Sequence, residues 1–505
     1  MTCEIFSTQE HRHRRIANSN DETLTRPPVG AVREMASIEL TDSKNYSSLL
    51  QAFTESKVGF KIVFLTALLA IGEGAVIGVV PSVMTDRYAH LDYNLSQNIT
   101  CRAFSMHDKA EACSAASADA QQAVANRHLA ANAFTFFASS LTGSLSDEYG
   151  RKPLLLIGLL VSSISPFVLV LLQLRSSMSP FYYYAAGVIR INWYVVAMSS
   201  LADVLPAQWR APSFGILSAG YSVGQALSPR LALWLGYFMV SLWSLMTILL
   251  GIIIVILFIP ETLDEETRHQ ARLRRTEQQL PWWYRPLWEL TILNRTSLFR
   301  MLSSLAFFSG MVSSADYTLL VYYLQEHLSF TDTDIANLYV LMGGLGILVQ
   351  SVGLKTLLET VGERRTISIS FVFGAVHSLL YGLAQDKLTI FVAMALGTGV
   401  TMAFPTISAL KANNVTESEQ GRIQGALYSV QAIASGLGPT VMRQIYGWSQ
   451  TGTSMLWGPG TMFLFASVFY AIAVFYASQL TEETDTLNPV YEETTQHLDD
   501  EAVSE

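Results

Sequence analysis

Charge is scarce in this chain. Of its 505 residues only 14% are Asp, Glu, Lys or Arg, while 50% are hydrophobic; an ordinary soluble domain carries about a quarter charged residues. That deficit argues against a chain solvated on every side and makes the lipid bilayer the expected partner. Cysteine is scarcer still, with three residues, too few for a disulfide framework. No Walker phosphate loop, zinc-ligand pair, nucleophile elbow or dinucleotide glycine fingerprint stands in a convincing context. The expectation is therefore no enzyme, no metal, no cofactor, no ATP-driven step and no nucleic-acid partner. The first 57 residues also lack an apolar h-region and carry the basic run His11 to Arg15, so the first membrane helix, rather than a cleavable leader, is expected to direct targeting.

What the chain has in quantity is apolar runs of about 20 residues, the length that crosses a hydrocarbon core of about 30 Å. They recur near 58 to 84, 129 to 147, 153 to 174, 181 to 204, 212 to 235 and 238 to 259. A second set lies near 301 to 323, 334 to 354, 366 to 384, 388 to 410, 423 to 445 and 459 to 478. The organisation expected is a polar cytoplasmic tail over 1–57, a six-helix bundle over 58–260, an Arg-rich central loop over 261–297, a second bundle over 298–479 and an acidic cytoplasmic tail over 480–505. The fold class expected is all-α membrane, with twelve transmembrane helices in two six-helix, pseudo-symmetric bundles.

Lys and Arg set the orientation. The N-terminal tail, the turn with Arg151 and Lys152, the central loop and the turn with Arg364 and Arg365 fall on one side, expected to be cytoplasmic with both termini. The opposite side receives a polar loop holding Cys101, Cys113 and the sequons at Asn94 and Asn98. These fit a glycosylated and bridged loop outside the cytoplasm; chance sequons and free thiols are the alternative. The plasma membrane and the endomembranes both fit.

An internal repeat is visible. Gly215 through Pro229 aligns without gaps on Gly425 through Pro439, and Asp147 through Lys152 aligns on Glu359 through Arg364. Two related six-helix units place a substrate site at their interface near mid-membrane. The run Gly143-Ser144-Leu145-Ser146-Asp147-Glu148-Tyr149-Gly150-Arg151-Lys152 fits G-x-L-x-D-x-x-G-R-K and resembles the signature of the major facilitator superfamily. That resemblance implies a gating role for Gly143, Asp147, Gly150, Arg151 and Lys152, and for Glu359, Gly362 and Arg364 in the second copy. Asp203, Arg210, Phe214-Gly215, Phe404-Pro405 and Glu419 through Gly425 are similar to the tetracycline-antiporter and hippocampus-abundant-transcript branch. The cysteine-bearing first loop is similar to that of the proton-coupled folate transporter group, a competing resemblance. In the fifth span Ser228 stands where antiporters of the superfamily usually have glycine, so antiport is not read from that motif.

Ionisable groups within a bilayer are costly and therefore functional candidates. Glu73 lies about 18 Å along a helix from Lys61, Asp316 holds the comparable depth in the seventh span, and the two are expected to face one cavity as pseudo-symmetry mates carrying a coupling proton. A structural carboxylate that fixes helix packing is the alternative for each. Arg190 matches an arginine often found in the superfamily's fourth span; it could bind an anion, modulate the acid of the first span or form a structural pair. His377 is read as a packing residue. Trp193, Tyr194, Tyr221, Gln225, Tyr317, Tyr322, Tyr428 and Gln431 offer the flat faces and polar anchors that suit an organic solute. Asn488 through Tyr491 fits N-P-x-Y, an endocytic adaptor motif that also arises by chance. The function expected is secondary active, proton-coupled transport of a small organic solute by alternating access, the alternative being a solute receptor on a transporter fold.

Overall fold

The computed structural model describes residues 49–480, apart from 57, 77–78, 97–98, 102–110, 279–280, 282 and 450–457. These all fall in one compact unit, Tyr46–Glu505. The described residues form helices and no strands, as membrane burial requires, because a helix satisfies its own backbone hydrogen bonds in hydrocarbon.

Two sets of six spans follow one another. In the first, span 1 runs Gly59–Ala75 and resumes at Val79–Leu91; span 2 is Glu111–Tyr149 and span 3 is Arg151–Leu174. Span 4 is Phe181–Ala186 followed by Trp193–Val204, span 5 is Ala207–Leu235 and span 6 is Tyr237–Phe258. In the second, span 7 is Ser297–Leu328 and span 8 is Asp332–Leu348. Span 9 belongs to the helix Leu354–Leu383, which turns at Gly362 with φ 82°. Span 10 runs Lys387–Gly397, a tight 3₁₀ turn at Thr398–Met402, then Ala403–Ala412; spans 11 and 12 are Gln420–Ser449 and Thr461–Ser478. Among the described residues, seven helical runs are long and apolar enough on those grounds alone to cross a membrane. Spans 2 and 11 fall short because they carry Ser139, Ser140, Ser144, Ser146 and Asp147, or Gly421, Arg422, Gln424 and Gly425, and these residues are buried against protein rather than lipid.

Each set has its own apolar core. One packs Ile62, Leu65, Leu155, Val196, Phe214 and Val255; the other packs Phe299, Leu302, Phe371, Ile407, Leu427 and Phe463. A smaller cluster, with Met84, Leu169 and Tyr183, lies toward the ends of spans 1, 3 and 4.

Three expectations are revised here. Span 2 begins at Glu111, well before 129, because Ala112, Ala115, Ala116, Ala118 and Ala120 favour helix where a loop was expected. Span 4 is not continuous over 181 to 204: it stops at Gly187, which packs against the Arg127 guanidinium. It restarts where the Asn192 side chain accepts from the Tyr194 N–H at 3.2 Å. The central segment is helical in part, at Glu265–Gln278 and Arg285–Glu289.

Candidate functional site

The turn that joins spans 2 and 3 clamps the two halves together. Gly143 has no Cβ, and span 2 approaches span 11 so closely that a Cβ there would lie 2.0 Å from the Gly421 carbonyl oxygen and 3.0 Å from the Gly425 Cα. One turn further, Asp147 reaches the start of span 11, whose first N–H groups have no partner within the helix. Its Oδ1 accepts from the Gly421 N–H and its Oδ2 from the Arg422 N–H, both at 2.8 Å. Asp147 thus caps a helix of the other half, where the helix dipole favours an anion.

Arg151 is 1% exposed and holds the clamp from within the first half. Its guanidinium donates to Asp147 at 2.6 Å and to both oxygens of Asp203 at 2.8 and 3.0 Å. Gly150 adopts φ 103°, a value that an L side chain rarely takes. That turn presents the Arg151 and Lys152 N–H groups to Glu261 at 2.7 and 3.1 Å, while Lys152 Nζ donates to the Ile256 carbonyl.

Charges from the central segment surround this clamp. Glu148 pairs with Arg285, and with Arg275 at 3.3 Å; Glu289 pairs with Arg422 at 2.8 Å and accepts from Ser144 at 2.7 Å. Glu419 binds Arg295 at 2.6 Å, Arg274 at 3.2 Å and Arg422 at 3.2 Å. Burial would raise the Glu419 carboxyl, but the Arg295 hydrogen bond and the three cations hold it below its ordinary value. A second tie lies across the same face, where Arg210 at the start of span 5 donates to the Ala412 carbonyl at 3.1 Å and to Asn413 at 3.2 Å, at the end of span 10.

Away from the clamp an aromatic layer joins the halves. Tyr194 of span 4 lies 6.2 Å from Tyr221 of span 5 and 5.8 Å from Tyr428 of span 11, ring centre to ring centre, and Tyr428 meets Phe404 of span 10 at 5.1 Å. The Tyr194 hydroxyl lies 3.1 Å from Ser218 Oγ. Beside this layer, Trp193 Nε1 donates to Glu73 at 3.4 Å, and Gly72 packs against Thr247 of span 6 with no room for a Cβ. Gln431 is half-buried on span 11, with its Oε1 enclosed and without a hydrogen-bond donor. The structure therefore brings Glu73, Trp193, Tyr194, Tyr221 and Tyr428 into one neighbourhood.

Asp316 departs from expectation. It does not face Glu73 across a shared cavity; its carboxylate lies 3.6 Å from His377 Nε2 of span 9, in a pocket lined by Ala315, Leu319, Met442, Met462, Phe463 and Ala466. The neighbouring Ser313 hydroxyl lies 3.3 Å from Tyr470 of span 12, so this side of span 7 faces the interior of the second bundle. Sequence spacing places Asp316 along its helix, but rotation about the helix axis follows from packing. His377, read from sequence as a packing residue, is the partner that this rotation supplies.

The second copy of the gating motif is also unlike the first. Gly362 keeps the same backbone twist, but Glu359 is exposed and pairs with Lys355 at 3.7 Å on its own helix, so it does not reach across to the other half. Arg364 follows at the turn. Arg190 is exposed in the break of span 4 and forms no ion pair with a described residue. Cys101 and Cys113 are joined by a disulfide, with Asp86 accepting from the Cys101 N–H at 2.7 Å, and Asn94 is exposed beside it at φ 53°. The side chains of Gln225, Tyr317 and Tyr322 lie outside the described residues, as do Asn98 and Asn488 through Tyr491. Arg285, Glu289 and Arg295 were not singled out from sequence beyond their basic or polar loop. Their signal was the unusual density of arginine between two apolar sets. Lys411, fully buried with Nζ donating to Ser303 at 2.6 Å, was hidden inside an apolar run.

The fold is that of a helical membrane protein whose two halves meet at a dense ionic clamp beside an aromatic layer. The chain belongs to the Major Facilitator Superfamily, whose family model matches residues 62–439 and 302–498. Among relatives, Hippocampus abundant transcript 1 protein of Homo sapiens is 25% identical over 328 residues, 62% of this chain and 63% of its own length. The class H tetracycline resistance protein of Pasteurella multocida is 26% identical over 340 residues, covering 67% of this chain and 81% of that protein. The chain thus spans under two thirds of the hippocampus-abundant relative, and both relatives carry the first of the two branch resemblances. Among solved structures, the human organic anion transporter MFSD10 superposes with a TM-score of 0.64 at 18% identity, over 83% of this chain and 99% of that one. The E. coli fucose:proton symporter does so with a TM-score of 0.58 at 13% identity, over 84% and 98%. Both show the same fold.

Proposed function

We propose that this chain is a proton-coupled secondary transporter of a small organic solute, working by alternating access between its two halves. The observation that carries the reading is the Asp147 clamp. It consists of hydrogen bonds across the halves and ion pairs that link each half to the central segment, which can break and reform as a unit, rather than of an apolar core that would hold the halves together permanently. The face bearing the clamp is rich in Arg and is assigned to the cytoplasm with both termini, and the disulfide-bearing face, with Asn94 as a glycosylation site, to the outside. The two bundles are taken to move as the regions 58–260 and 298–479, joined by the helical central segment.

Two acids are the candidates for the coupling proton. Glu73 sits beside the aromatic layer with the Trp193 N–H as its partner, where solute and proton could compete directly. Asp316 sits with His377 inside the second bundle, where a proton would act through helix packing. Uptake into proteoliposomes of a panel of organic solutes, with and without an imposed pH gradient, tests the reading. Glu73→Gln should abolish pH-driven accumulation while exchange at equal pH persists. If Glu73→Gln and Asp316→Asn both leave accumulation intact, proton coupling through these acids is wrong.

A further inference from the structure

The short central helix Arg285–Glu289 lies along span 2 rather than beyond its end. The Pro286 carbonyl accepts from Ser140 at 3.0 Å, Glu289 accepts from Ser144 at 2.7 Å, and Arg285 pairs with Glu148. Ser140, Ser144 and Glu148 succeed one another at four-residue steps, so they form one stripe of span 2. That stripe continues away from the clamp through Phe137 and Ala133, which are exposed. On its other side the helix meets span 11: Glu289 pairs with Arg422 at 2.8 Å, and the Arg422 guanidinium lies 4.1 Å from the centre of the Trp288 ring. The helix therefore covers the seam where the two halves touch.

Neighbouring spans give its depth. Span 6 stays apolar and outward-facing to its last turn, where Ile256, Leu257 and Phe258 are exposed. There Lys152 Nζ donates to the Ile256 carbonyl and Lys61 Nζ to the Phe258 carbonyl, both at 2.9 Å, as ammonium groups do at the edge of hydrocarbon. Lys152 follows directly on the Gly150 turn, so Tyr149, where span 2 ends, lies at that same edge. Ser140 is about 14 Å along the helix from Tyr149, on the hydrocarbon side. The Pro286 turn that it holds is thus level with acyl chains.

The outward face of the segment suits that depth. Trp283, Tyr284 and Leu287 are 64%, 41% and 42% exposed, while the charged Arg285 and Glu289 are buried; the Trp283 and Tyr284 rings meet edge to face with centres 6.0 Å apart. Trp and Tyr concentrate where hydrocarbon meets water, because each joins an apolar body to one polar group. We infer that this segment is a wedge in the bilayer: Trp283, Tyr284 and Leu287 enter the phospholipid leaflet on the clamp side and lie over the seam between spans 2 and 11. The occupant of the face is lipid because the face continues the exposed strip of Phe137 and Ala133 on span 2 and presents no charge of its own to a protein partner. Lipid on the outer face keeps water from the ion pairs on the inner one, where their attraction is stronger.

The test uses full-length protein in phosphatidylcholine vesicles, with Cys3→Ser removing the thiol outside the disulfide and a nitroxide attached at a single new cysteine. Trp283→Cys and Leu287→Cys probe the wedge at exposed positions, where the label does not disturb packing. Phe137→Cys serves as the lipid reference, and Glu266→Cys, exposed on the polar helix Glu265–Gln278, as the water reference. Oxygen dissolves in hydrocarbon and a nickel chelate does not, so the ratio of oxygen to nickel relaxation at both wedge sites should exceed that at Glu266→Cys by at least about threefold and approach that at Phe137→Cys. A smaller ratio at either wedge site would place it in water and overturn the inference. Protection from both relaxers would place protein there, a second copy of this chain if the labels broaden one another, and would overturn it equally. Neither solute nor proton enters the measurement, so its outcome is independent of the transport reading.

Discussion

Replacing Asp147 with Asn separates what holds the clamp shut from what merely decorates it. The pair between Asp147 and Arg151 lies within one half and is kept whether the halves meet or part, so it does not bias that equilibrium. The two bonds to the Gly421 and Arg422 N–H groups cross the halves and exist only when they meet. A hydrogen bond to a charged group contributes about 1.5–3 kcal/mol. Asn retains one oxygen as a neutral acceptor and turns an amide N–H toward the other donor, so the closed form should lose about 2–3 kcal/mol. At about 1.4 kcal/mol per tenfold, the open population should rise about 30- to 140-fold. Ser139 is a suitable reporter: it is fully buried against span 11 and its hydroxyl has no hydrogen-bond partner. A Ser139→Cys substitution, with Cys3→Ser to remove the other thiol outside the disulfide, should react with a polar maleimide only when spans 2 and 11 part. Asp147→Asn should speed that reaction by at least tenfold in protein that remains monodisperse. A rate within threefold of the parent would show that the cap does not govern closure.

Two further outcomes follow from the same geometry. Gly143→Ala places a Cβ against the Gly421 carbonyl and 3.0 Å from the Gly425 Cα, so closure on this face should fail; Ser139→Cys labelling should rise and solute turnover should fall by at least tenfold, and normal turnover would refute the close-approach argument. Cys101→Ser or Cys113→Ser removes a cross-link spanning 12 residues, worth about 3 kcal/mol on loop entropy, and should lower the thermal unfolding midpoint, whereas Cys3→Ser should not.

Much of this protein can be read along the chain because hydrocarbon imposes a simple demand. A stretch that crosses it must be long, apolar and helical, so the spans around 151 to 174, 237 to 258 and 461 to 478 announce themselves. The repeat of Gly215 through Pro229 in Gly425 through Pro439 is legible for the same reason: one unit that packs against its copy keeps small residues where backbones approach. The signature from Gly143 to Lys152 marked the clamp through its resemblance to the superfamily's motif.

Which way a side chain points, and what it meets, depended on tertiary packing. Depth follows from counting residues, but the rotation of span 7 that sets Asp316 against His377 depends on how that helix seats on spans 9, 11 and 12. Arg127, some sixty residues away, fills the space beside Gly187, where the first part of span 4 ends and Arg190 follows exposed. The Asp147 partners are backbone N–H groups of the opposite half, and a backbone N–H carries no mark in the sequence. Composition and periodicity determined that this chain spans a bilayer as two related halves; only the folded contacts decided which of the two symmetry-related motifs reaches the opposite half, because burial and capping are properties of neighbours in space.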